Sequence, residues 1–323
     1  MGDVLRGKVA VVTGSGQGIG RAIALGMAGE GAKVVTNNRR RGSTGHAILD
    51  DSILNSMSPE QRERLRKQLE ESSGDAATTA EAIKKMGGEA VPFFGDVADF
   101  EAAQKLIQTA VDSFGRIDIL ANVAGTFGFS PIWEMSEELW DKVTLTKPKG
   151  YFNCIRHAVP FMMKQKWGRI INCTSRAFMG DVLKHAEYCA ANAGVVGLTM
   201  AVAKELAQYG ITCNAFAPFA RTRASLELAA YDEAVTEAES PWMDRKFSFS
   251  LEMTPSPDDV APLINYLASE EAAKINGKIF NVGGPIISLY SEPEVAKTLV
   301  KYGGSWTLDE LRQQIPFWLS PPE

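Results

Sequence analysis

The sequence of 323 residues is poor in metal-binding and disulfide-forming residues, and it has no long apolar run and no long block of one charge. Its four cysteines and three histidines are scattered, without CxxC, HExxH or HxE spacing, so we predict reduced thiols and no metal. The sequence also has no apolar run near the ~18 residues that a membrane-spanning helix needs, so we expect no membrane association. The 34 basic and 39 acidic residues give a net charge of −5, which favours neither nucleic acid nor a membrane surface as a partner.

The first predicted strand, KVAVVTG, begins so close to Met1 that no room is left for a signal peptide. We therefore expect a cytoplasmic protein. Apolar residues make up 45% of the chain, enough for a sizeable core.

Short apolar runs alternate with amphipathic stretches along most of the chain. This alternation predicts an α/β fold, a Rossmann-like doubly wound parallel sheet of about seven strands in a three-layer αβα arrangement. The predicted helices cover residues 19–29, 76–86, 100–114, 137–166, 188–209 and 257–268. Binding sites in such sheets lie at the carboxyl ends of the strands.

Two segments fall outside this alternation. We predict a single catalytic domain over residues 1–284, with a charged helical insertion at about 42–75 and a C-terminal extension at 285–323. In the insertion, Ser58 and Gln61 form a capping-box pattern before a charged stretch, which is typical of a surface helix or a partly mobile segment. The extension contains SWTLDEL, predicted as a short capped helix, and we expect it to pack on the domain or on a neighbouring subunit.

A glycine-rich turn directly follows the first strand and leads into a helix. Glycine is needed where backbone turns tightly and where a pyrophosphate approaches the main chain, and the helix N-terminus offers free N–H groups. The sequence therefore predicts a dinucleotide site that includes Gly14, Ser15, Gly18, Ile19 and Gly20.

The end of the second strand indicates which dinucleotide binds. Asn38 occupies the position where NAD sites carry a carboxylate for the ribose, and Arg39 and Arg40 follow it. Arginine is suited to a 2′-phosphate, so NADP(H) is favoured over NAD(H). The alternative is that some of these arginines only begin the insertion.

Several motifs in the right order resemble the short-chain dehydrogenase/reductase family over about residues 7–284. They are TGSGQGIG, Asp96-Val97, Asn122-Val123-Ala124-Gly125, GRIINCTS ending at Ser175, Tyr188, and NAFAP ending at Pro218. The resemblance implies that Asp96 and Val97 contact the adenine and that Asn122, Ala124 and Gly125 support the central strand and the cofactor. It also implies that the loop from Pro218 to Thr222 lies near the nicotinamide.

The resemblance implies hydride transfer between a ketone and a secondary alcohol, with Tyr188 as general acid/base and Ser175 binding the substrate oxygen. The sequence departs from the family at two positions. Asn192 stands where the YxxxK motif has lysine, and Lys147 stands where a preceding helix usually has asparagine.

The two residue types have therefore exchanged places. We interpret the exchange as functional, with Lys147 bringing the ammonium to Tyr188 from the opposite side and Asn192 supplying the polar partner. Pro148 strengthens this interpretation, because a proline within a helix kinks it. The alternative is that Lys147 points into solvent and that hydride transfer has been lost. Lys184 and His185 are other candidate cations, although exposed loop positions explain them more simply.

Three functions remain open at this point. The first is an NADP(H)-dependent ketone reductase or alcohol dehydrogenase, the second is a non-redox lyase or dehydratase that uses the same site, and the third is a catalytically silent cofactor-binding subunit. A weaker resemblance to the dehydrogenase module of multifunctional β-oxidation enzymes implies a bulky or acyl-thioester substrate, and the family implies a homodimer or homotetramer. The segment from Pro218 to Phe249 is expected to form a substrate lid. An apolar pocket could be lined by Phe178, Phe216, Phe219, Trp242 and Met243, but for any one of them a place in the ordinary core is the better expectation.

Overall fold

The centre of the structure is one eight-stranded sheet. The computed structural model describes residues 2–42, 49, 54–55, 57–182, 184–234 and 254–318. The strands are β1 (Val9–Val12), β2 (Lys33–Asn38), β3 (Ala90–Phe94), β4 (Ile119–Asn122), β5 (Gly168–Cys173), β6 (Ile211–Pro218), β7 (Ile279–Gly283) and β8 (Ile286–Leu289). Their order is β3-β2-β1-β4-β5-β6-β7-β8, and only β8 is antiparallel to its neighbour. The predicted doubly wound parallel sheet is confirmed, with one strand more than expected.

Helices cover both faces of this sheet. The α-helices of the described residues, in chain order, are α1 (Gly18–Gly29), α2 (Pro59–Glu71), α3 (Ala76–Lys85), α4 (Phe100–Phe114), α5 (Glu137–Thr144), α6 (Gly150–Gln165), α7 (Ala186–Leu206), α8 (Arg223–Ala234), α9 (Ala261–Leu267) and α10 (Leu308–Trp318). In β1, Ala10 and Val12 pack in a cluster with α1, α3 and α9, whereas Val9 and Val11 pack in a second cluster with α4, α6 and α7. Successive side chains of a strand point to opposite faces, so a strand buried on both faces is apolar throughout.

The predicted helix over residues 137–166 is interrupted. The structure has α5, then a π-helical turn at Leu145–Lys149 that contains Pro148, and then α6. The N–H of Gly150 donates to the carbonyl of Leu145, five residues back. Proline has no N–H and clashes with the carbonyl of the preceding turn, so a local widening to the π form accommodates it.

The insertion contains a helix that packs on the domain. The capping box at Ser58 is present, with reciprocal hydrogen bonds between Ser58 and Gln61 opening α2. Most of α2 is exposed, but Leu65 is buried in a small cluster with Met57 and with Leu226 of α8. The predicted insertion thus contains a charged, mostly exposed helix, and one side of this helix contacts α8.

The sheet continues past Gly284, where the catalytic domain was predicted to end. Strand β8 pairs with β7, and the first compact unit extends to Leu289. The second unit begins at Tyr290 and contains α10, which is longer than the helix predicted from SWTLDEL. Thr307 and Glu310 exchange hydrogen bonds at its N-terminus. The expected packing of this extension stays a prediction.

One helix among the described residues is long and apolar enough to cross a membrane by length and composition. It is Ala186–Tyr209, which comprises α7 and the short turn after it. Asn192, Thr199 and Glu187 are buried polar residues on this helix, and their side chains bond to neighbouring parts of the fold. The α/β unit buries part of its apolar surface, including Ala191, Val195 and Val202.

The burial of Leu65 generates a stability prediction. A buried Leu→Ala change costs about 2–5 kcal/mol, so Leu65→Ala should let α2 open more often than in the wild type. We expect faster cleavage of the native protein within residues 57–71 by thermolysin, followed by mass spectrometry. Lys67→Ala, at an exposed position of the same helix, is the control, and equal cleavage of the two variants would contradict the packing of α2 on α8.

Candidate active site

In the glycine-rich turn after β1, the backbone of the turn passes close to other backbone segments. Gly14 has a φ of 64°, and a Cβ on it would lie 2.8 Å from the Cα of Ala124. A Cβ on Gly20 would lie 2.2 Å from the carbonyl oxygen of Gly14. These positions exclude other residues, and α1 begins at Gly18 with its N–H groups facing the turn. The turn fits a phosphate group of a dinucleotide.

A cavity of about 820 Å³ opens beside this turn, at the carboxyl ends of the parallel strands. Most of the predicted cofactor-binding residues line it: Gly14, Gly18, Ile19, Gly20, Asn38, Arg39, Asp96, Val97, Ala124, Gly125, Pro218 and Thr222. Ser15, Arg40 and Asn122 are not among the lining residues. The structure therefore brings together most of the residues that the motifs had indicated separately.

The three predicted residues outside the lining have other places in the structure. Ser15 is buried and accepts the N–H of Asn37 at 2.8 Å, which holds the glycine turn against β2. Arg40 is exposed. Asn122 is buried and donates to Asn172 at 2.9 Å, and Asn172 donates to Thr199 at 3.0 Å. Asn122 thus ties the central strands to α7, beneath the cavity.

Sequence reasoning missed several residues at the end of the cavity near β2. Arg39 is joined there by Lys142 of α5 and by the end of the insertion, which contributes Glu71, Ser72 and Ser73. Burial lowers the pKa of Lys142, and the nearby positive charge of Arg39 lowers it further. Asn38 has a buried Oδ1 without a hydrogen-bond partner in the described part of the chain. No motif marks Lys142 or Ser72, because only the fold brings their elements next to β2.

The four predicted catalytic residues lie together at the wall of the same cavity. Lys147 Nζ donates to Oδ1 of Asn192 at 2.7 Å and to the carbonyl of Cys173 at 2.8 Å. It lies 5.5 Å from the centre of the Tyr188 ring. Asn192 Nδ2 donates to the carbonyl of Tyr188 at 2.7 Å. Tyr188, Ser175 and Lys147 line the cavity, and Asn192 lies behind them, fully buried.

Lys147 is 3% exposed, so it does not point into solvent. Lys147 lies in the π-helical turn Leu145–Lys149, and it is the buried residue of that turn. A Cβ on Gly125 would lie 3.0 Å from Cε of Lys147, which shows how closely the side chain passes that backbone. The turn and the glycine together direct the ammonium toward α7.

Burial governs the protonation of the catalytic groups. It raises the pKa of Tyr188 to about 12, while hydrogen bonding with the Ser175 and Asn192 side chains acts in the opposite direction. Burial also lowers the pKa of Lys147, because an ammonium loses hydration in the interior. Tyr188 is therefore a neutral phenol near neutral pH.

None of the described aromatic residues considered for the substrate pocket lines the cavity, and for Phe216 this agrees with the expectation of a place in the core. Phe216 is fully buried in the core, and neither Phe178 nor Phe219 is among the described residues that line the cavity. Trp242 and Met243 lie outside the described residues, as does the predicted lid beyond α8. An aromatic residue that the sequence did not single out, Phe127, lines the cavity, and its ring centre is 5.7 Å from that of Tyr188.

The expectation that His185 is an exposed loop residue is wrong. His185 is 5% exposed and packs against the rings of Phe127 and Phe129. Lys184 lies over the ring of Phe129. Neither residue lines the described cavity, so Lys147 is the cation next to Tyr188.

A parallel sheet with this glycine turn, cavity and tyrosine defines a dinucleotide-dependent enzyme site. The family model described as short chain dehydrogenase matches residues 8–53 and 65–227. The chain belongs to this family, and it is an oxidoreductase that uses a nicotinamide dinucleotide.

Individual relatives agree with this assignment. The chain is 32% identical over 315 residues to the hydroxyacyl-CoA dehydrogenase ChsB1 of Mycobacterium tuberculosis, covering 95% of this chain and 87% of that protein. It is 35% identical over 285 residues to a 3-oxoacyl-[acyl-carrier-protein] reductase of Synechocystis sp., covering 88% and 98%. A crystal structure of a short chain dehydrogenase from Mycobacterium avium matches with a TM-score of 0.76 and 32% identity, covering 99% of this chain and 98% of that one.

The close approach at Gly14 leads to a binding prediction. A methyl group there would meet the backbone of Ala124, and alanine also disfavours a positive φ, so Gly14→Ala should displace the turn. We expect the Kd for NADPH, measured by its fluorescence, to rise at least about tenfold, as a loss of ~1.4 kcal/mol implies. Gly29→Ala is the matched control, because no atom lies within 4 Å of a Cβ at that position of α1. Unchanged binding in Gly14→Ala would show that the turn does not hold the cofactor.

Proposed function

We propose that the protein is an NADP(H)-dependent oxidoreductase that interconverts a ketone and a secondary alcohol, with Lys147 replacing the usual YxxxK lysine. The observation that carries this proposal is the placement of Lys147 Nζ, bonded to Asn192 and 5.5 Å from the ring of Tyr188. A relic lysine in solvent would show neither the burial nor these contacts.

In this proposal Tyr188 is the general acid/base. Its raised pKa keeps it protonated near neutral pH, so in the reductive direction it donates its proton to the carbonyl oxygen of the substrate. Ser175, beside Tyr188 in the cavity, donates a hydrogen bond to the same oxygen. NADPH, when bound, supplies the hydride to the carbonyl carbon.

Lys147 stabilises the tyrosinate that remains after proton donation. An ammonium near a developing phenolate favours the charged form, and the effect is strong where water is excluded. Asn192 holds the ammonium by its Oδ1 and holds the backbone of Tyr188 by its Nδ2. The exchange of residue types thus keeps a cation beside the tyrosine.

The end of the cavity near β2 supports NADP(H) over NAD(H). Arg39 and Lys142 both line it and place positive charge beside Asn38, where an NAD site carries a carboxylate. Ser72 and Ser73 add hydroxyl groups at the same end. A 2′-phosphate would be held by Arg39 and Lys142, with the serines as donors.

For the substrate we propose an acyl thioester with an oxygen at the 3-position. The relatives named above are a hydroxyacyl-CoA dehydrogenase and a 3-oxoacyl-[acyl-carrier-protein] reductase; both names describe acyl thioesters that carry an oxygen, and the second gives its position. We also propose a cytoplasmic homodimer or homotetramer that associates through α6 and α7. Exposed apolar residues on α6, such as Phe152, support this arrangement.

The exchange can be tested by reversing it. Lys147→Met removes the ammonium, and we expect kcat for NADPH-linked ketone reduction to fall by about 10²-fold or more, as for loss of acid/base assistance. Tyr188→Phe should abolish the reaction. The double variant Lys147→Asn/Asn192→Lys restores the usual arrangement, and we expect it to recover part of the rate that Lys147→Asn alone loses. A Lys147→Met enzyme with wild-type kcat would refute the role of the lysine.

The cofactor preference can be tested at neighbouring arginines. Arg39→Ala removes a donor to a 2′-phosphate, and since a hydrogen bond to a charged group contributes ~1.5–3 kcal/mol, the Kd for NADPH should rise about tenfold or more. The Kd for NADH should not change. Arg40→Ala, exposed and away from the cavity, serves as the control. Equal weakening of NADPH and NADH by Arg39→Ala would contradict the assignment.

A further inference from the structure

A buried carboxyl group lies directly next to the catalytic tyrosine. Glu187 is fully buried on α7, and its Oε1 accepts the backbone N–H of Gly128 at 3.1 Å. Its Oε2 has no hydrogen-bond partner among the described residues, and neither does Nδ1 of His185, which lies 3.9 Å from Oε1. Neither Glu187 nor His185 lines the cavity, so this pair does not touch the substrate or the cofactor.

The N–H that Glu187 accepts belongs to the loop after β4. This loop carries Phe127, which lines the cavity beside Tyr188. A second contact attaches the loop two residues later, where the N–H of Ser130 donates to the carbonyl of Lys184 at 2.9 Å. The loop is thus held by the segment that leads into Tyr188, from Lys184 to Glu187.

Aromatic packing joins the same two segments. The ring of His185 lies 5.1 Å from that of Phe129, 5.7 Å from that of Phe127 and 6.2 Å from that of Tyr188, measured between ring centres. A displacement of the loop would therefore move the aromatic wall of the cavity relative to the tyrosine hydroxyl.

Burying a carboxyl group at this position lowers the stability of the fold if packing is its only role. Burial of a polar group without full hydrogen bonding is unfavourable, and an apolar residue of similar size is often at least as stabilising. Glu187 makes one backbone contact that an apolar residue cannot make. That contact is the reason we assign it a role in positioning.

We propose that Glu187 is a positioning residue for the reaction, which holds Phe127 and the loop after β4 against Tyr188 through the N–H of Gly128. The expected effect on kcat rests on the proposed function. The hydrogen bond between Glu187 and Gly128 does not depend on that function. The side chain of Phe127 then forms a fixed wall beside the reacting carbonyl.

Two substitutions separate the hydrogen bond from the volume of the side chain. Glu187→Leu keeps the size but removes the acceptor, and we expect kcat to fall about 10²-fold, as for a misplacement of ~1 Å near the reacting groups. The Kd for NADPH should stay unchanged, because Glu187 does not line the cavity. Glu187→Gln keeps an acceptor for Gly128 and should retain most of the wild-type kcat. Glu205→Leu, at an exposed position of the same helix, is the control.

Hydrogen exchange gives a readout that needs no turnover. In Glu187→Leu the amide of Gly128 should exchange faster than in the wild type, while in Glu187→Gln it should stay protected. Wild-type exchange at Gly128 in Glu187→Leu, or a loss of kcat in Glu187→Gln as large as in Glu187→Leu, would overturn the proposal. If the wild type binds NADPH but reduces no ketone, while Glu187→Leu still exposes Gly128, the redox function fails and the positioning contact stands.

Discussion

The rest of the candidate active site depends on the hydrogen bonding of one buried amine, Nζ of Lys147. Lys147 Nζ has left water almost completely, so it requires acceptors, and the fold provides the carbonyl of Cys173 and Oδ1 of Asn192. Tyr151 donates to the same carbonyl at 3.1 Å. These contacts link the π-helical turn, the end of β5 and the second turn of α7. The position of Tyr188 follows, since Asn192 also binds its backbone.

The exchange of lysine and asparagine changes the direction from which the cation reaches the tyrosine. In the usual pattern the lysine lies on the same helix, one turn after the tyrosine, whereas here it comes from the turn between α5 and α6. That turn contains Pro148, and its π form places Lys147 on the inner side. Helix α5, which directly precedes this turn, contributes Lys142 to the cavity lining near Arg39, so α5 and the turn after it both supply residues of the site.

Adjacent residues of α7 face different neighbours, because an α-helix turns by about 100° per residue. Tyr188 faces the cavity, while Glu187 faces the loop after β4 and bonds to Gly128. The insertion makes a comparable link, since α2 packs on α8 through Leu65 and Leu226, and the residues after it line the cavity near Arg39. The reacting groups are thus supported by segments that are distant in sequence.

The sequence alone determined the class of fold, the family and the glycine turn, and it indicated the candidate catalytic residues, because these depend on local patterns: apolar periodicity, glycines at fixed spacing, and Ser175 and Tyr188 thirteen residues apart. It also showed the exchange of Lys147 and Asn192, but not whether the two side chains meet. Tertiary structure decided that question, since their contact joins residues 45 positions apart. It likewise decided the burial of His185 and Glu187 and the approach of Ser72 and Lys142 to β2, because packing between distant segments leaves no local pattern in a single sequence.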